Sequence, residues 1–148
     1  MTGRGEVARI LGEGPAEARR SLAADAAAPP EALYYLMGDA DAGVRAAVAA
    51  NPATPAQSFA VLATDAEATV RGALATRLAA IAPGLAAPQT DRLAHMAWTA
   101  LARLAADAVE EIAATIAEAV KDIPAAPRDL VLGLAHDPRA TVAGPVLR

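Results

Sequence analysis

Residues 29–54 read PPEALYYLMGDADAGVRAAVAANPAT, and residues 55–80 read PAQSFAVLATDAEATVRGALATRLAA. Shifting the first by 26 aligns Pro29 with Pro55, Leu33 with Phe59, Leu36 with Leu62 and Asp39 with Asp65. Val44-Arg45 then falls on Val70-Arg71, and Val48 on Leu74. Self-similarity at a fixed period of this size is the signature of a repeat architecture.

Each copy has the same physical grammar. Proline opens a first helix, where its missing N–H costs nothing. Apolar residues follow at helical spacing, as at Leu33, Leu36 and Met37. A turn follows at Gly38-Asp39-Ala40-Asp41 in one copy and at His136-Asp137-Pro138 in another. A second helix then places Val44 and Val48 one turn apart, and Asn51-Pro52 stops it. At roughly ten residues each, neither helix is stable alone. Stacking neighbouring pairs would bury their apolar faces in a continuous core.

Working outward, a shift back by 26 puts Val7, Ile10, Glu13, Ala18, Arg19 and Leu22 in the same places. Downstream, Leu101, Leu104, Asp107, Ile112 and Ile116 keep the internal offsets. So do Val131, Leu134, Asp137, Val142 and Val146, preceded by Pro127. Five copies are thus expected, at about 3–28, 29–54, 55–80, 97–122 and 127–148, within a single domain spanning 1–148. An insertion near 82–96 is expected to extend a helix or add one. The anticipated fold is all-α: a right-handed α-solenoid of about five helix pairs.

Composition agrees with helices. Hydrophobic residues make up 55% of the chain, much of that alanine, and aromatics only 3%. Alanine is the best helix former and lets helices approach closely. The net charge of −4 is the wrong sign for a phosphate-binding surface, which disfavours nucleic acid as a partner. With no cysteine, disulfides, thiolate zinc sites, iron–sulfur clusters and a cysteine nucleophile are all excluded. The N-terminus lacks the apolar core of a signal peptide. Pro83 and Gly84 break the apolar stretch Leu78–Ala87 well short of the ~18 residues of a membrane span. A soluble, cytoplasmic protein is expected.

The segment VRAAVAANPATPAQSFAVLATDAEATVR resembles the leucine-rich repeat variant and the HEAT-like repeats, both two-helix solenoids. The spacing from Asp39 to Val44-Arg45, and from Asp65 to Val70-Arg71, is similar to the aspartate and arginine that HEAT repeats use as a ladder along the stack. The stretch PRDLVLGLAHDPRATVAGPVL, Pro127 to Leu147, resembles a bacterial α-solenoid family known only as a domain of unknown function. Its members are usually longer, and Leu147-Arg148 falls inside what should be a second helix, so a trimmed chain or a short member is expected. Repeat-variant proteins can carry a cysteine-ligated iron–sulfur module, which nothing in this sequence could supply. Ala113 and Ala143 stand where the ladder would have arginine, so the last two copies are expected to lack it.

The pairs Glu13/Arg19, Asp39/Arg45 and Asp65/Arg71 read structurally as an inter-repeat ladder, arginine's planar fork bridging two acceptors. Their functional reading is a row of arginines aimed at an anionic partner. His95 and His136 fall in different copies without metal-ligand spacing, so no metal is expected. Ser21 and Ser58 lie in no nucleophile elbow, and no glycine-rich phosphate loop occurs. No enzyme activity and no cofactor are expected. Phe59 reads as core, whereas Tyr34, Tyr35 and Trp98 fall beside core positions. Edge packing under the insertion would explain them; so would an interface, because Trp, Tyr and Arg dominate binding hot spots. The candidate partner-binding residues are therefore Tyr34, Tyr35, Arg45, Arg71 and Trp98. The expected function is a non-catalytic protein–protein interaction scaffold, its binding face lined by the second helices. The alternative is a HEAT-like nucleic-acid-binding or DNA-processing protein, since HEAT-like repair glycosylases hold DNA on such a fold.

Overall fold

The computed structural model describes residues 3–148. Among them the chain is all-α, with ten α-helices and two short 3-10 turns. The helices are α1 (Arg4–Glu13), α2 (Ala16–Ala24), α3 (Pro30–Leu36), α4 (Ala42–Ala50), α5 (Phe59–Leu62), α6 (Ala68–Ile81), α7 (Arg92–Ala105), α8 (Glu110–Val120), α9 (Arg128–Ala135) and α10 (Ala140–Leu147). None is long and apolar enough to cross a membrane.

The starts and stops follow from single residues. Pro15, Pro29 and Pro127 stand at the N-caps of α2, α3 and α9, and Pro55 opens the 3-10 turn Ala56–Ser58 that leads into α5. Asp41 caps α4 by accepting from the Val44 N–H at 3.1 Å, and Asp91 caps α7 through Ala94 at 2.7 Å. Each satisfies a donor that the first turn leaves without an intrahelical partner. The insertion lengthens its flanks: α6 and α7 have 14 residues each, against 9 in α4. Between them lies the 3-10 turn Ala82–Gly84, and α7 begins at Arg92, inside the stretch marked as inserted.

The chain forms two compact units, Met1–Leu74 and Ala75–Arg148. In the first, α2 packs on α4 and α1 on α3. In the second, α8 packs on α10 and α7 on α9. Contacts between alternate helices are those of a helical array. The aligned apolar positions form the core. Leu33, Leu36, Val44, Val48, Phe59, Leu62, Val70 and Leu74 are all buried in the first unit, as are Leu101, Leu104, Ile112 and Ile116 in the second. In the last copy the register differs from expectation: Leu130 is buried and Val131 only half-buried.

Asn51 closes the first unit in a way its place in a turn does not advertise. It is buried, and its Nδ2 donates to the carbonyls of Ala23 at 2.7 Å and Asp25 at 2.9 Å. Its Oδ1 accepts from the Ala53 N–H at 2.8 Å. One amide thus satisfies the open C-terminal end of α2 while shaping the turn after α4. Replacing Asn51 with alanine strands buried carbonyls, so Asn51→Ala should cost about 1–3 kcal/mol in urea unfolding; an unchanged midpoint would show the amide to be dispensable.

Candidate interaction surface

Four aspartates that anchor the repeat pattern make the same local turn. The Oδ1 atoms of Asp39, Asp65, Asp107 and Asp137 accept from the N–H two residues on, at Asp41, Glu67, Val109 and Arg139, each at 2.9 Å. This Asx turn bends the chain between the two helices of a copy. The second carboxylate oxygen of Asp39, Asp65 and Asp137 faces an arginine, as do the carbonyls of Asp39, Asp65 and Asp107.

Arginine uses both. Arg45 donates from Nε and Nη2 to the Asp65 carboxylate at 2.8 and 3.2 Å, while its Nη1 donates to the Asp39 carbonyl at 2.7 Å. Arg19 grips Asp39 in the same way, at 2.7 and 3.3 Å, and donates to the Gly14 carbonyl at 2.7 Å. Arg71 Nη1 lies 2.8 Å from the Asp65 carbonyl and 3.3 Å from that of Ala66. The expected pairing is corrected on one point. Arg19 and Arg45 bind the carboxylate of the following copy rather than Glu13 and Asp39, and take a backbone carbonyl from their own. For Arg45 the Asx turn at Asp39 is the reason: it folds the carboxylate over the turn, leaving the carbonyl toward the arginine of the same copy.

The expectation that the last two copies lack this bridge is also corrected. Arg139 donates to the Asp137 carboxylate from Nε and Nη2, both at 2.9 Å, and to the Asp107 carbonyl from Nη1 at 2.8 Å. These are the acceptors Arg45 uses, a carboxylate of the later turn and a carbonyl of the earlier one. The guanidinium occupies the equivalent bridge, but the side chain comes from two residues after the aspartate instead of from the preceding helix.

The ladder fixes charge states. Burial pushes the Asp39 and Asp65 carboxyls up, but the arginine hydrogen bond and the Asx N–H outweigh it and hold both below the ordinary aspartate value. Asp137, gripped by the Arg139 side chain and backbone N–H, is pulled down to about 2.

The other candidate residues separate clearly. Tyr34 and Tyr35 are 69% and 60% exposed, the most open aromatic rings in the chain. A cleft of about 410 Å³ opens beside Tyr35, between Leu11, Gly38 and the Arg19–Asp39 pair. Trp98 is not beside the core but in it, at 2% exposure, and its indole N–H donates to the Ala86 carbonyl at 2.8 Å. It pins the loop before α7 and offers no surface. Arg45 is an internal brace, its side chain 16% exposed.

Ser58 is buried and His95 exposed. His136 Nδ1 lies 2.7 Å from the Leu132 carbonyl, which can only accept, so that nitrogen carries the proton. Among the described residues no group of three or more His, Asp or Glu side chains is placed to hold a metal ion. In the second unit, a shallow groove of about 850 Å³ crosses α8 and α10, floored by Ala79, Ala114, Ala119 and Pro145. Neither a protein-family model nor a curated protein sequence matches the chain.

Two features escaped the sequence reading. Asp25 and Asn51 stand 26 residues apart and make the same turn, to Ala27 and Ala53, each at 2.8 Å. The period itself would have found them. Arg139 was hidden because it lies outside the aligned column.

The Arg45–Asp65 contact should show a coupling of ~1 kcal/mol in a double-mutant cycle of Arg45→Ala and Asp65→Asn. The carboxylates have depressed folded values, so their stabilisation is full above the unfolded aspartate value near ~3.9 and is lost as pH falls through the folded ones. Urea unfolding followed downward in pH should therefore lose stability below about pH 4 and on toward 2, where Asp137 titrates. Arg45→Ala should make that loss shallower; an identical acid slope would mean that Arg45 does not hold Asp65 ionised.

Proposed function

We propose that this chain is a right-handed α-solenoid of HEAT-like two-helix repeats, located in the cytoplasm, that serves as a non-catalytic scaffold binding another protein. The contacts between alternate helices, the Asx turn recurring at the anchor aspartates and the shared bridge geometry support the architectural part. The exposed tyrosine pair on α3 carries the functional part. Tyrosine is enriched among binding anchors, and here two rings stand exposed on one short helix.

The arginines weigh against nucleic acid. Arg19, Arg45 and Arg139 direct their guanidinium N–H groups at carboxylates and carbonyls within the fold. A phosphate backbone would have to displace those contacts, and the chain holds one lysine.

The test compares the intact chain with Tyr34→Ala/Tyr35→Ala in cross-linked capture from native extract, alongside duplex-DNA titration at two salt concentrations. The expected result is a defined protein captured by the parent and lost by the variant at unchanged thermal midpoint, with no measurable DNA affinity. DNA binding that collapses with added salt would establish the alternative instead.

A further inference from the structure

The tyrosine pair sits in a particular electrostatic setting. Glu31 precedes Tyr34 by three residues and Tyr35 by four on the same helix, so its carboxylate neighbours both rings. All three side chains are exposed. Among the described residues, neither tyrosine hydroxyl nor the Glu31 carboxylate has a hydrogen-bond or ion-pair partner.

The surrounding unit is net negative. Residues 1–74 hold nine carboxylates and six arginines, with no lysine. Arg19, Arg45 and Arg71 donate to turn carbonyls, and Arg20 faces Asp41 at 3.5 Å. The remaining two arginines of this stretch, Arg4 and Arg9, lie on α1. What α3 presents is two exposed aromatic rings beside the Glu31 carboxylate, on a unit of net negative charge.

The geometry points to Glu31, Tyr34 and Tyr35 as a docking site for a basic segment of a partner protein, an arginine or lysine lying over the tyrosine rings with Glu31 as its counter-ion. The chemistry is that of a cation against a ring quadrupole, reinforced by an adjacent carboxylate. The cleft beside Tyr35 is lined by Leu11, Gly38, Ala40 and the paired Arg19 and Asp39, so the cation rests on the exposed rings and Glu31 rather than in the cleft. An acidic segment would meet like charge here. This inference rests on the scaffold reading and adds the chemistry of the contacting segment.

The chain has two tyrosines, so selective 13C labelling of tyrosine rings reports on this patch alone. The intact protein is titrated with a short Arg/Gly peptide, with its Glu/Gly counterpart and with a neutral Pro/Gly peptide. The Arg/Gly peptide should shift both ring signals saturably, with added salt weakening the response. Glu31→Gln should weaken binding about three- to five-fold, the scale of an exposed ion pair. The acidic peptide should leave the rings unmoved. Rings that ignore the basic peptide, or that respond equally to the neutral one, would overturn the proposal. If so, but Tyr34→Ala/Tyr35→Ala still abolishes partner capture, the scaffold reading survives and only the basic occupant falls. If capture is also unaffected, both fall.

Discussion

The structure depends on one guanidinium held between two consecutive turns. Helices of seven to eleven residues, such as α3 and α8, carry too few contacts to fix their own orientation. A planar cation that must satisfy a carboxylate on one side and a carbonyl on the other allows only one spacing between turns. Arg19 and Arg45 impose it in the first unit, and Arg139 imposes it in the second.

Hydrophobic burial supplies the drive, and the polar bridges supply the register. Leu33, Leu36, Val44 and Val48 are fully buried, at roughly 1.5–3 kcal/mol for each of the larger side chains. Partly exposed ion pairs contribute less in energy but choose among packings of similar burial. Asn51 acts likewise at the other end of the helix pair, joining the end of α2 to the turn after α4. Polar contacts therefore pin both ends of the first unit's helix pairs.

Much of the fold was legible in the sequence because its causes are local and periodic. The proline starts, the aspartate turns and the apolar columns each act within a few residues, and the 26-residue shift exposes them. What stayed hidden was nonlocal. The partner of each arginine could not be read, because an aspartate six residues upstream and one 20 residues downstream are both plausible, and only the Asx turn decides between carbonyl and carboxylate. For Trp98 the sequence left packing under the insertion and an interface both open, and only the path of the connection before α7, which has no periodicity, decides for packing. The tyrosines stood out by scarcity alone. Their pairing with Glu31 follows from helix spacing, but the engagement of the nearby arginines needed coordinates.

Arg139 makes the central claim testable, since it fills the bridge from a different position. Glu67 occupies the same place after Asp65 that Arg139 occupies after Asp137, and its N–H makes the same Asx contact at 2.9 Å. The most direct measurement is the urea midpoint of Arg45→Ala, Glu67→Arg and the two combined. If the bridge is what matters, whichever residue supplies it, the combined variant regains most of the stability that Arg45→Ala loses. A combined variant no more stable than Arg45→Ala would contradict that account.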